Sequence, residues 1–214
     1  ARVLGRLLPG APVRRVSNSF PVGEGGKRSL PDEVEAFIAG HHPVVSSTGA
    51  ASDEYGLPDA VSAVARLRGR YPDIGYVLVL TRYGTPEYER GLTEAVAAEG
   101  LEDGVLVTRG LPDFVALLER SDAFLRSTLV DGDSMSVREA LYLGLPTVAS
   151  DTAYRPDGAI LFRRGDAEDM AEKLAAGLER GRGDTSDARE ESERNLAELL
   201  EVYASVTGTR PDAG

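Results

Sequence analysis

The amino-acid sequence predicts an α/β protein built on a doubly wound parallel sheet, and three observations carry that prediction. From residue 43 onward, short apolar runs alternate with amphipathic helical segments. The runs lack inside–outside alternation, as strands buried on both faces of a parallel sheet do. Parallel neighbours need right-handed crossovers, so a strict strand–helix repeat winds the chain onto both faces of one sheet. About six strands with flanking helices are expected.

The elements follow in order. Residues 17–29 are a turn-rich linker with no sustained period. Leu30 to Ala39 reads as a short helix, with acidic residues in its first turn and Gly40 after its end. Val44 to Thr48 is the first strand, and residues 58–71 form a helix with Pro58 near its start. The apolar run Ile74 to Leu80 is a strand, followed by an amphipathic helix over 86–99. Val105 to Thr108 is a third strand and 112–120 a helix; Ala123 to Arg126 is a fourth strand, with a helix over 135–143. Pro146 to Ser150 and Ala159 to Phe162 are the last strands, and helices over 167–180 and 187–206 close the chain.

Composition narrows the class. With 214 residues, 42% hydrophobic and 28% charged, the chain is an ordinary globular protein with a sizeable core. No apolar run approaches the roughly 20 residues that cross a bilayer, and Ala1 to Pro9 is too short and interrupted for a signal peptide. The absence of cysteine excludes disulfides, thiolate metal sites and cysteine nucleophiles. A net charge of −11 argues against nucleic-acid binding, which needs an excess of cations. Lys27 and Lys173 are the only lysines among many arginines, a bias that codon usage explains.

Ligands on such sheets sit at the carboxyl ends of the strands, near the point where strand order reverses. The most informative loop runs from Asp131 to Glu139, after the fourth strand. Ser134 or Ser136 can cap the next helix, whose free N–H groups and positive dipole end favour an anion. Arg126 and Arg138 bracket the turn and can fork onto phosphate oxygens. Glu139, about one turn into the helix, can accept from a pair of ribose hydroxyls, and Asp131 from sugar hydroxyls. Together they suit a ligand bearing both hydroxyls and phosphates, as a sugar nucleotide does. The alternative is that both carboxylates merely cap and decorate a helix.

Other loops carry weaker signals. Gly49 to Gly56 is a glycine-bounded loop after the first strand, and Arg82 and Arg109 follow the second and third at the ligand edge. Asp131-Gly132-Asp133 begins like a calcium loop but lacks the later acidic positions. Gly23 to Lys27 evokes a phosphate loop without its hydroxyl or its first glycine. His41 and His42 have no companion cluster for a metal, and the Gly-x-Ser-x-Gly elbow is absent.

Taken together, Asp131 and Glu139 in their setting of residues 121–151, the segment Thr108 to Leu118, and the loop Gly49 to Gly56 resemble the carboxyl-terminal, donor-binding half of a family 4 glycosyltransferase. The similarity covers roughly residues 43–180. It implies a Rossmann-like half of a GT-B fold and divides the chain into three. Residues 1–42 become an interdomain linker and short helix, 43–184 a nucleotide-sugar-binding domain, and 185–214 a carboxyl-terminal helix and tail.

The resemblance implies transfer of a sugar, with retention, from a nucleotide sugar to a glycan or lipid-linked acceptor. The acceptor would be held by an amino-terminal half that this chain lacks. Asp131 would contact the sugar and Glu139 the ribose. Backbone N–H groups of Gly132, Asp133, Ser134, Met135 and Ser136 would face the sugar and diphosphate, with Gly110 and Leu111 against the base. Gly49, Arg82 and Arg138 complete the implied donor site. Neither a cofactor nor a metal is implied, because cations stabilise the leaving diphosphate. The location implied is cytoplasmic, at the inner membrane face through the missing half.

Two departures stand out. The family has Glu where this chain has Asp131, and an Arg and a Lys of the first loop align with Ala50 and Tyr55. Arg126, Arg82 or Arg155 is expected to substitute, Arg126 first because it directly precedes the acidic pair. The missing cations motivate an alternative, a degenerate non-catalytic module that binds a nucleotide sugar or glycan. A sugar-nucleotide epimerase on the same fold ranks last. The final helix packs on this domain or, by resemblance, braces the absent half.

Overall fold

The computed structural model describes residues 17, 21–23 and 28–207. Much of the expected linker, and the tail beyond 207, therefore lie outside the described residues. The described elements are α1 (Asp32–Gly40), β1 (Val44–Ala50), a 3-10 turn (Asp53–Tyr55), α2 (Leu57–Leu67), β2 (Gly75–Arg82), α3 (Pro86–Ala98) and β3 (Val105–Arg109). They continue with α4 (Phe114–Arg120), β4 (Ala123–Arg126), α5 (Met135–Tyr142), β5 (Thr147–Ser150), β6 (Ile160–Phe162), α6 (Ala167–Arg180) and α7 (Ser186–Thr207).

The six strands form one parallel sheet in the order β3-β2-β1-β4-β5-β6, a Rossmann-like doubly wound arrangement. The order reverses between β1 and β4, which marks the carboxyl ends of those two strands as the edge where a ligand is expected on such a sheet. The apolar runs lack alternation because both faces are covered. Tyr76, Leu78 and Leu80 of β2 pack with α2 residues such as Val61 and Val64, whereas Val77 and Val79 face Val34 of α1 and Leu117 of α4. On that second side, Phe124 of β4 and Ala149 of β5 pack with Val137 and Ala140 of α5. Each buried Leu-sized side chain contributes roughly 1.5–3 kcal/mol.

Element ends differ from expectation where local chemistry decides them. β1 and β2 each run two residues further, and the register shifts between Gly49 and Ala50 as the chain leaves the sheet. α2 stops at Leu67, and Tyr71, which precedes Pro72, is biased out of helical geometry. α4 starts at Phe114 because the Asp113 carboxylate accepts from the Ala116 N–H at 3.0 Å. α1, expected beside the linker, buries Val34 against the sheet, as Leu30 just before it does, and so shares its core.

Candidate functional site

Two loops meet at this edge of the sheet. Ser127 Oγ donates to the Tyr55 carbonyl at 2.7 Å, and the Leu129 N–H to the Glu54 carbonyl at 2.7 Å, joining the loop after β4 to the turn after β1. Glycine is required at both ends of that turn. A Cβ on Gly49 would lie 2.5 Å from the Tyr55 ring. Gly56 has φ +56°, and a Cβ there would lie 2.6 Å from the Ser127 carbonyl oxygen. The Tyr55 ring is thereby held against the Arg126 guanidinium, 5.3 Å from its centroid. The position the resemblance aligns with a lysine is thus an aromatic face that carries an arginine.

Asp131 is the hub of this region. Its Oδ2 accepts from Arg126 Nε at 2.9 Å, Arg155 Nη1 at 2.9 Å and Thr128 Oγ1 at 3.1 Å. Its Oδ1 accepts from Arg126 Nη2 at 3.2 Å and from the Gly132 N–H at 3.1 Å. Burial pushes the Asp131 carboxyl up, but the hydrogen bonds and charges of Arg126 and then Arg155 outweigh it and hold it below the usual carboxylate range. Burial likewise draws the Arg155 guanidinium down, opposed by Asp131 and reinforced by the neighbouring charge of Arg126.

The start of α5 is built differently from expectation. Ser134 occupies the N-cap position, but its hydroxyl lies 3.1 Å from Ser136 Oγ and makes no capping bond to the backbone. The first-turn N–H groups of α5 are therefore left without a side-chain cap. Arg138 is engaged by other side chains: Nε and Nη2 donate to Asp133 at 2.5 and 3.3 Å, and Nη1 to Glu191 of α7 at 2.8 Å. Asp133 also accepts from Ser17 Oγ at 3.0 Å. Gly132 and Met135 are exposed, whereas Ser134 and Ser136 are buried.

Glu139 contrasts with Asp131. It is half-buried on α5, no side-chain hydrogen bond or ion pair joins it to the other described residues, and burial pushes its carboxyl above the usual range. An acceptor-only group in that state is ready to receive hydroxyl donors.

The remaining expected residues form a second group. Arg82 and Gly110 line a cavity of about 180 Å³ at the ends of β2 and β3, together with Tyr83 and Arg109. Gly110 has φ +66° and open space where a Cβ would project, and Leu111 packs beneath against the core. Arg82 is exposed; Arg109 is engaged by Glu89 at 3.1 and 2.7 Å and by the Tyr83 ring at 4.9 Å. Thr128 and Tyr83 belong to no motif that marks them as site residues, and Arg155 enters the sequence analysis only as one of three arginines that could replace the missing cations. Among the described residues no group of three or more His, Asp or Glu side chains could hold a metal ion, and no described helix is long and apolar enough to cross a membrane.

A family model described as "Glycosyl transferases group 1" matches residues 32–180. No curated protein sequence matches the chain. Among solved structures, a glycosyltransferase from Rickettsia africae superposes with a TM-score of 0.65 at 16% identity, over 77% of this chain and 48% of that one. Anabaena Alr3699/HepE in complex with UDP superposes with a TM-score of 0.66 at 16% identity, over 83% of this chain and 51% of that one. The carboxyl-terminal domain of a group 1 family protein, LpcC of Francisella tularensis, gives 0.59 at 16% identity, over 76% of this chain and 86% of that domain. The chain thus spans about half the length of the first two, and at this identity the likeness is one of fold.

Proposed function

Because the chain belongs to the glycosyl transferases of group 1, we propose that it is the donor-binding half of a retaining family 4 glycosyltransferase of GT-B architecture. In this reading it moves a sugar from a nucleotide-sugar donor to a glycan or lipid-linked acceptor held by a second half. The donor lies along the carboxyl ends of the strands. Glu139 accepts from the ribose hydroxyls, and the base rests against Gly110 and Leu111 beside Arg82. Arg126 and the start of α5, whose first turn no side chain caps, face the sugar and diphosphate. Those donors meet the charge of the leaving diphosphate without a metal ion, so transfer is expected to survive chelators. The place of work is the cytoplasmic face of the inner membrane, reached through the second half.

The observation that carries this reading is Glu139, a half-buried carboxylate without a partner among the described residues, on a helix whose first turn no side chain caps. UDP in complex with the Anabaena structure makes uracil the first base to try. The test is calorimetric titration of the chain with UDP, ADP and GDP and their glucose conjugates. Saturable binding that Glu139→Ala weakens at least tenfold supports the site, on the scale of roughly 1.5–3 kcal/mol for hydrogen bonds to a charged group. Absence of binding by every compound sinks it.

Ala50 and Tyr55 favour a second reading, a module that binds a nucleotide sugar or glycan without transferring it. Sugar transfer or donor hydrolysis by this chain joined to an acceptor-binding half rejects the module; tight donor binding with neither reaction supports it.

A further inference from the structure

We propose that Arg155, Asp131 and Arg126 form a positioning relay. Arg155 fixes Asp131, Asp131 fixes Arg126, and Arg126 presents its two remaining N–H groups to a diphosphate. The inference rests on the donor-site reading above and changes what the first acidic residue does in it.

The argument is a count of donors and acceptors. A guanidinium has five N–H donors and a carboxylate about four lone-pair sites. Arg155 spends all five. Nε donates to the Ser150 carbonyl at 2.9 Å, and Nη1 to Asp131 at 2.9 Å and the Tyr154 carbonyl at 3.4 Å. Nη2 donates to Thr128 Oγ1 at 3.2 Å and Ser150 Oγ at 3.1 Å. Its side chain is 3% exposed, so it reaches no ligand and serves only to hold what it touches.

Asp131 is equally committed. It accepts five hydrogen bonds and its side chain is 11% exposed, which leaves no lone pair for a sugar hydroxyl.

Arg126 is the member with capacity to spare. Nε and one N–H of Nη2 go to Asp131, and one N–H of Nη1 goes to the Thr48 carbonyl at 2.9 Å. Among the described residues the other two N–H groups have no partner. With Tyr55 against its face and Asp131 at its edge, the guanidinium plane cannot swing. A donor fixed in advance stabilises developing charge without reorganising, and only the forked planar group allows this placement. The relay therefore stands in for the cations absent at Ala50 and Tyr55.

The experiment uses the chain with UDP, ADP and GDP as probes, and adds the glucose conjugate of whichever diphosphate binds. The relay predicts that Arg155→Lys and Asp131→Glu each weaken the nucleoside diphosphate about tenfold, while the affinity ratio of sugar conjugate to diphosphate stays constant. In an Arg126→Met background, Arg155→Lys is expected to have little further effect, a non-additivity that a merely structural role would not produce. Thr128→Val removes one hydroxyl from the hub without touching a charge. It gives a smaller loss in the same direction and serves if a charged variant fails to fold.

An Asp131→Glu variant that holds the diphosphate normally and changes only the sugar conjugate would overturn the relay and make Asp131 a sugar acceptor. Additive losses for Arg155→Lys and Arg126→Met overturn it as well. If the parent chain binds none of the three diphosphates, the donor-site reading falls and the relay with it. If the parent binds and Glu139→Ala weakens binding, but the relay variants do not, the relay alone falls.

Discussion

Replacing Gly56 by Ala tests the joint between the two loops that hold Arg126. At φ +56° an L-residue pays roughly 1–2 kcal/mol for the left-handed backbone conformation. The new Cβ would also lie 2.6 Å from the Ser127 carbonyl oxygen, a backbone atom that cannot rotate away. Overpacking of that kind adds about 1–3 kcal/mol. Gly110→Ala is the matched control: φ is +66°, and nothing lies within 4 Å of the added Cβ. It should lose the conformational term alone. A protein of this size shifts in Tm by about 2–4 °C per kcal/mol, so Gly56→Ala should melt several degrees below Gly110→Ala. Thermal unfolding followed by circular dichroism, at one scan rate and protein concentration, measures the gap. Equal losses in the two variants would refute the close approach of the turn to Ser127, and with it the account of how Arg126 is positioned.

Three further outcomes are expected. Burial raises the Glu139 carboxyl in the folded state, so its contribution to stability is present in acid and lost as pH rises through the folded value. Glu139→Gln should therefore melt above the parent at pH 7, with the gap closing below the ordinary carboxylate range. Asp131 has the opposite sign, because its folded value is depressed; its contribution is present at neutral pH and lost as pH falls through that lowered value, and Asp131→Asn should flatten the acid limb of a Tm–pH curve. Arg182 donates to the carbonyls of Leu118, Glu119, Ser121 and Leu143 at 2.8–3.0 Å, so Arg182→Ala should cost about 1–3 kcal/mol in urea unfolding, and Arg90→Ala on exposed α3 far less.

The fold was legible because a parallel sheet covered on both sides leaves a trace: β2 is an unbroken apolar run from Tyr76 to Leu80, and short strand-like runs alternate with helical patterns on either side of it. β4 and α6 came out residue for residue, since Asp122 and Ser127 flank the first and the Asp166 cap and Gly181 bound the second. Other boundaries depend on contacts that periodicity does not contain. Asp113 decides where α4 begins by accepting one N–H, and Gly49 and Ala50 extend β1 only because β2 continues beside them.

Within the candidate site, what lies in a single loop was legible and what crosses between loops was not. Asp131, Ser134 and Glu139 stand within one turn and its helix, so residue type and spacing identify them. Arg155 is 24 positions beyond Asp131 and reaches it only because β5 lies beside β4, with Ala149 opposite Arg126. A sequence also shows two acidic residues as chemically alike, although one is saturated and the other unpaired. Five donors converge on Asp131, and against its burial the hydrogen bonds and charges of Arg126 and Arg155 hold its carboxyl down, while burial without a partner pushes that of Glu139 up. Opposite displacements of like groups eight residues apart imply different tasks. In the proposed site one carboxylate organises cations and the other receives hydroxyls, and no spacing rule distinguishes the two until their hydrogen bonds are counted.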